Sequence, residues 1–158
     1  MVTQAVAQAS AISKTTKQTF NMDLIITASI LHDIGKLYTY AKKGMTFEVT
    51  EEGNFLEHIV MGTHIVMTAG QHVGMLTETL LQVTHCIAAH HGKLQWGSPV
   101  EPATPEAMIV HYADLVTSRM AIVYEAIEQT DKRWTDKNYL LGVRLFTGKE
   151  PYDGEYKL

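Results

Sequence analysis

The chain has 158 residues, enough to bury the core of one domain without disulfide or metal staples. A hydrophobic content of 46%, a charged content of 19% and a formal net charge of −4 describe a globular protein and exclude a strongly basic nucleic-acid footprint, although a local basic rim could still hold a phosphate or a single strand. Cys86 is the single cysteine, which excludes an internal disulfide and suits a reducing cytoplasm; no run resembles a signal peptide or a membrane span, so no membrane partner is expected.

Residues 3–19 read as a helix of small and polar residues with Ala5, Val6, Ala9 and Ile12 as its apolar stripe. Asn21 or Asp23 is the expected cap of the next helix, which is apolar nearly all round from Leu24 to Leu31. Such a helix is expected at the centre of the fold, with Gly35 ending it. Residues 37–50 change character: Leu37-Tyr38-Thr39-Tyr40 and Met45-Thr46-Phe47-Glu48-Val49-Thr50 flank Ala41-Lys42-Lys43-Gly44, which predicts a short β-hairpin or an irregular excursion. Asn54 is the expected cap of a helix running to about Ala69, and Thr77 starts another that ends near His90. The segment 91–103 holds Gly92, Gly97, Pro99 and Pro102 and must be loop. Thr104-Pro105-Glu106 joins an N-cap to a proline at the first helical position and opens a long helix to about Gln129. The tail to Leu158 has no readable periodicity. With no internal repeat or obvious linker, one all-α domain over residues 1–158 is expected, with the hairpin near 37–50 as its excursion.

His32 and Asp33 end the apolar helix. An imidazole and a carboxylate side by side where periodicity predicts burial are costly unless something pairs with them, and a divalent cation would pair with both. Further candidate ligands lie on other helices: His58, the pair His90-His91, and Asp114. Offsets of three and four place His32 with Ala28, Leu31 and Gly35, His58 with Gly62, Ile65 and Ala69, and Asp114 with His111 and Ser118. Small residues beside a histidine let another helix or an ion approach closely. Imidazoles and carboxylates together suit one or two ions of Mn²⁺, Fe²⁺, Co²⁺, Ni²⁺ or Zn²⁺ without choosing sharply among them, and Asp33 could bridge a pair. An ion pair of this kind activates a water for attack.

Other residues keep two readings. His111 either orients Asp114 or a ligand, or is a core histidine. Lys36 and Arg119 are phosphate contacts or complements to a helix dipole. Trp96 stacks on a base or plugs its loop. His64, His72 and His85 read as half-buried side chains bonded to carbonyls.

In order along the chain, Leu31-His32-Asp33-Ile34-Gly35-Lys36, Leu56-Glu57-His58-Ile59 with Gly62, His90-His91-Gly92 and His111-Tyr112-Ala113-Asp114 resemble the HD-domain metal-dependent phosphohydrolase superfamily. The loop His90-His91-Gly92-Lys93-Leu94-Gln95-Trp96-Gly97-Ser98-Pro99, followed by Pro102 and Glu106-Ala107, is similar to the HD half of YhaM-type 3′-to-5′ exoribonucleases. The resemblance runs from about Asn21 to about Met120. It implies an all-α helical bundle with His32, Asp33, His58, His90 and Asp114 as metal ligands and His91 as a further candidate. It also implies phosphoester hydrolysis by metal-activated water, with Asp33 and Lys36 as the catalytic residues and Mn²⁺ as the first ion to consider.

Three departures qualify the implication. No His precedes His32, whereas the superfamily carries a ligand His on its first helix, so this chain is expected to begin inside that helix with the site open on one side. Glu57 stands where the family tends to have Gly, and Thr117 where the exonuclease type tends to have a second Asp. YhaM-type enzymes also carry an amino-terminal OB-fold domain with no counterpart in this sequence. A nucleotide, a short single-stranded oligonucleotide or a cyclic phosphodiester is therefore the expected substrate, with Trp96 and Arg119 beside Lys36 as substrate contacts. The alternatives are a degenerate HD module that binds a nucleotide or partner without turnover, and a di-iron HD oxygenase. Homo-oligomerisation stays open.

Overall fold

Asn21 decides where the second helix starts. Its side-chain oxygen accepts the Leu24 N–H at 3.1 Å, satisfying one of the free donors of a helix N-terminus. The computed structural model in which this is seen describes residues 1–149 and 154. It is mostly helical, with elements α1 (Val2–Thr16), α2 (Met22–Leu31), α3 (Lys36–Thr39), β1 (Tyr40–Lys43), β2 (Thr46–Val49), α4 (Glu51–His72), α5 (Thr77–Ala89) and α6 (Pro105–Glu128). The all-α class and the small hairpin are as the sequence predicts. The chain divides into two compact units, Met1–Leu115 and Val116–Leu158, where the sequence suggested one domain. No described helix is long and apolar enough to cross a membrane.

Within the first unit, α1 lies close against its neighbours because its contact residues are small. Ala5 and Ala9 are buried against Ile25, Ile109 and Ala113, while Ile12, expected in the stripe, is exposed. The helix stops at Thr16, earlier than read, where Lys17 turns left-handed and bonds back to the Ser13 carbonyl. A second cluster packs Leu24, Ala28, Val66, Leu80, Val83, Cys86, Ile87, Ala107 and Val110 together. The expectation that α2 is central all round is corrected. Leu24, Ile25, Ala28 and Ser29 are buried, but Ile30 is 63% exposed, so an apolar face remains in water.

Two other boundaries are corrected. Thr50, not Asn54, caps α4: its hydroxyl accepts the Gly53 N–H at 2.9 Å and donates to the Tyr38 carbonyl at 2.8 Å. Asn54 lies inside the first turns, its side chain donating to the Thr50 carbonyl. Gly35 does not end α2, which stops at Leu31; Gly35 is a right-handed residue at the start of α3 (φ −61°). Its value is spatial. A Cβ there would collide with the His58 carbonyl and the Gly62 N–H of α4.

The hairpin pairs Tyr40 with Val49 and Lys43 with Thr46 across a tight turn, in which Gly44 takes φ +61°. At the start of α6, Thr104 accepts the Ala107 N–H at 3.1 Å with Pro105 as first helical residue, as predicted. In the second unit the tail that sequence could not assign folds back on itself. Trp134 bridges Phe146, Thr135 N–H donates to the Leu145 carbonyl, and Lys149 donates to the carbonyls of Ile127, in the last turn of α6, and Thr130, just beyond it.

Candidate metal centre

His32 and His90 occupy equivalent places, each the C-cap of its helix. The last carbonyls of a helix lack intrahelical partners, and each imidazole uses one. His32 Nδ1 lies 3.0 Å from the Ser29 carbonyl and His90 Nδ1 2.7 Å from the Ile87 carbonyl, both three residues back. His91 does the same through its loop: the single 3-10 turn Leu94–Trp96 and the left-handed Gly97 return the Trp96 carbonyl to His91 Nδ1 at 2.9 Å. A carbonyl only accepts, so Nδ1 carries the proton and Nε2 faces inward on all three rings.

Those inward nitrogens meet the two carboxylates. His32 Nε2 lies 3.3 Å from Asp33 Oδ2 and 3.6 Å from Asp114 Oδ1. On the other side of the Asp33 carboxylate, Oδ1 lies 3.6 Å from His58 Nε2 and 3.9 Å from His90 Nε2. Donor atoms of His58, His90 and His91 all fall within 4.8 Å of one another. Helices α2, α4, α5 and α6 thus bring His32, Asp33, His58, His90, His91 and Asp114 to one place.

The donor set can be tested against a cation by what it leaves unsatisfied. Asp33 Oδ1 and His58 Nε2 are both buried and have no hydrogen-bond partner. Leaving two such groups bare costs on the order of 1–3 kcal/mol each. A carboxylate oxygen and an imidazole nitrogen converging with other imidazoles are the ligand chemistry of a divalent transition metal, so the residues fit one.

The remaining expected residues are placed as follows. Lys36 donates to Asp33 Oδ2 at 2.7 Å, with half its side chain in solvent. His111 is buried; its Nδ1 donates to the His90 carbonyl at 2.7 Å and its ring lies against Gly92 (φ +82°), where any Cβ would strike the imidazole. It therefore holds the His90-His91 backbone, not Asp114. Trp96 keeps a 40% exposed indole, with Lys93 Nζ 5.0 Å from the ring centre. Arg119 belongs to the second unit and donates to the Leu140 carbonyl at 2.7 Å. His85 is half-buried as expected, but its ring accepts the Ala103 N–H at 2.9 Å where a carbonyl partner was expected. His64 and His72, expected to be half-buried, are exposed; they line an apolar groove of about 800 Å³ with Leu56, Val60 and Met61, which shares no residue with the histidine cluster.

Sequence reasoning did not foresee the backbone acceptors Ser29, Ile87 and Trp96. A histidine at a helix end was the available signal for the first two; nothing local announces the third. It also missed that Glu57 interrupts α4 with φ 57° and ψ 162° immediately before His58.

Charge organises the site. Burial pulls His32 down, but hydrogen bonds to Asp114 and Asp33 and their negative charges outweigh it and push the imidazole up to about 9. Burial would raise both carboxylates, yet His32 and Lys36 hold Asp33, and His32 holds Asp114, below the usual range. Burial also drives His90 down to about 4, against its Ile87 bond, and lowers His58. A proton shared around His32 thus supplies the positive charge between the carboxylates in the metal-free protein. His32 has a folded value above its unfolded 6.5, so its stabilisation is complete below pH 6.5 and lost as pH rises through 9. His58 and His90 have folded values below 6.5, so stability also falls as pH drops beneath that point. The expected result is a urea midpoint for metal-free protein that peaks near pH 6.5, with the alkaline decline flattened in His32→Gln.

The HD domain family matches residues 3–119. This chain belongs to the HD-domain family. The match covers all six converging residues, which agrees with the metal-dependent phosphohydrolase superfamily that the motifs resemble. Among curated proteins, the chain is similar to the 3′-5′ exoribonuclease YhaM of Geobacillus sp. (strain WCH70), 34% identical over 127 residues, 80% of this chain and 39% of the relative. The YhaM exoribonucleases of Bacillus pumilus (strain SAFR-032) and Bacillus subtilis (strain 168) are each 34% identical over 125 residues, 78% of this chain and 40% of theirs. This HD chain therefore spans about 40% of the length of the curated relatives it matches. No solved structure matches it.

Proposed function

We propose that the protein is a metal-dependent phosphodiesterase that cleaves nucleotides or short single-stranded oligonucleotides, removing residues from the 3′ end. One observation carries the reading: two buried, unpartnered donor atoms, Asp33 Oδ1 and His58 Nε2, facing each other 3.6 Å apart among imidazoles whose other nitrogens are already committed. The activity for which the YhaM relatives are named, 3′-5′ exoribonuclease, supports the direction and the substrate class.

His32, Asp33 and Asp114 would hold an ion on one side of the cluster, and His58, His90 and His91 on the other, with the Asp33 carboxylate serving both. A divalent ion in such a site, Mn²⁺ first, acts as a Lewis acid on a phosphoryl oxygen and lowers the pKa of a water to make it nucleophilic. The residues of the chain bind and orient. Lys36 fixes the rotamer of Asp33 and, being half exposed, presents its positive charge to the non-bridging oxygens of a phosphodiester. Trp96 is 40% exposed and Lys93 Nζ lies over its ring, so a base would stack on the indole once Lys93 turns aside toward the adjoining phosphate.

Stripping the purified protein with a chelator is expected to remove hydrolysis of bis(p-nitrophenyl) phosphate and of a short single-stranded RNA, and added Mn²⁺ to restore both. The RNA should shorten stepwise from its 3′ end, releasing mononucleotides. Undiminished hydrolysis after complete removal of metal would overturn the proposal.

A further inference from the structure

Four histidines face the cluster, and three have Nδ1 on a backbone carbonyl: His32 on Ser29, His90 on Ile87 and His91 on Trp96. His58 differs. It restarts the helical path of α4 after the break at Glu57, so no carbonyl three residues back is offered to its ring. The group that reaches its Nδ1 is the carboxylate of Glu57, Oε2 at 3.8 Å. That separation is an ion-pair contact, within the reach of a small side-chain rotation or one bridging water.

The backbone of Glu57 is the second observation. Among the described non-glycine residues only Lys17 and Glu57 have positive φ. Lys17 (φ 59°, ψ 17°) is an ordinary left-handed helix cap. Glu57 (φ 57°, ψ 162°) lies in a region that is almost exclusively glycine's, where a side chain is strained. A glycine would adopt the same break freely. The carboxylate is therefore held here in spite of its backbone, beside the one inward-facing histidine that lacks an anchor.

We propose that Glu57 is a positioning residue for His58: its carboxylate accepts from Nδ1, keeps Nε2 unprotonated and aimed at Asp33, and raises the donor strength of that nitrogen toward a metal ion. Carboxylate partners of this kind commonly raise metal affinity on the order of ten- to a hundredfold. The inference rests on the metal reading above, but its consequences for the His58 tautomer and for the stability of metal-free protein do not. Removing the carboxylate and relaxing the backbone must move affinity and stability in opposite directions.

Glu57→Gly and Glu57→Ala test this, with Glu57→Asp as the conservative replacement. The side chain is 78% exposed, so all three variants should fold. In metal-free protein Glu57→Gly is expected to raise Tm by about 2–5 °C through relief of strain, whereas Glu57→Ala, which keeps the strained backbone, gives no rise. Both should weaken Mn²⁺ binding by roughly tenfold or more, measured by calorimetry, with partial recovery in Glu57→Asp. Nitrogen-15 spectra of the metal-free protein should show His58 protonated at Nδ1 in the parent and moving toward the Nε2-protonated tautomer in Glu57→Gly and Glu57→Ala. Unchanged tautomer and Mn²⁺ affinity in Glu57→Gly would overturn the positioning role. A Tm that does not rise in that variant would overturn the opposition between strain and ligand placement. If the parent chain binds no Mn²⁺, the metal reading falls, while the tautomer and Tm still decide the role of Glu57.

Discussion

Asp33→Ala is expected to abolish Mn²⁺-dependent phosphodiester hydrolysis, a fall of about 10³-fold or more, and to weaken Mn²⁺ binding more than any other single substitution in the cluster. The reason is the placement of its two oxygens. Oδ2 faces His32 at 3.3 Å and Lys36 at 2.7 Å, while Oδ1 faces His58 and His90 at 3.6 and 3.9 Å. Among the described residues, Asp33 is the carboxylate with oxygens within 4 Å of histidines in both halves of the donor set. Asp114 approaches only His32 among the histidines, so Asp114→Ala should leave the His58, His90 and His91 half able to bind an ion weakly. Asp33→Asn separates charge from shape: it preserves volume and an acceptor oxygen, so a loss of similar size there assigns the effect to the missing negative charge. Removing the carboxylate also takes away a hydrogen bond and a charge that raise His32, so the imidazole should titrate lower in either variant. Titrating His32 by NMR in metal-free protein checks that the substitution acted at the site even where activity is gone. Full activity in Asp33→Ala would refute the assignment.

The converging residues were legible in the sequence because each announces itself locally. His32-Asp33 ends an apolar helix, His58 shares a helical face with Gly62, and Asp114 sits on the face of His111. The caps Asn21 and Thr104 were equally readable, since an N-cap is a short-range hydrogen bond made by a few residue types. What escaped depends on distant backbone. Asn54 looked like a cap because of its type, yet Thr50 has the position, with Gly53 as donor and Tyr38 as acceptor. The break at Glu57 is a backbone conformation that residue preference argues against, so no propensity argument finds it. Arg119 read as a phosphate contact because the folded-back tail that supplies its Leu140 acceptor carries no pattern. His111 stayed between orienting Asp114 or a ligand and being a core histidine, because its partner is a distant main-chain oxygen, that of His90.

Gly35→Ala is expected to be the most destabilising single-methyl change in the first unit, costing about 3 kcal/mol or more and lowering Tm by roughly 6–12 °C. Backbone freedom is not the issue, because φ −61° and ψ −24° suit alanine as well as glycine. Space is the issue. The added Cβ would meet the His58 carbonyl, with its carbon at 2.8 Å, and the Gly62 nitrogen at 2.7 Å. These are main-chain atoms of α4 and cannot rotate aside, so relief requires α4 to move away from the turn that carries His32 and Asp33. That motion would pull His58 from Asp33, from which it is now 3.6 Å away. Gly35→Ala should therefore weaken Mn²⁺ binding as well as stability, although residue 35 offers no ligand. Gly62→Ala is the control on the facing helix, since a Cβ there meets its nearest neighbours at 3.4 and 3.5 Å, ordinary contact distances, and should cost under about 1 kcal/mol. Urea unfolding of the two variants, with Mn²⁺ titration of each, separates the outcomes. Equal stability of Gly35→Ala and the parent would mean that the turn and α4 are not pressed together, and the geometry that joins Asp33 to His58 would lose its support.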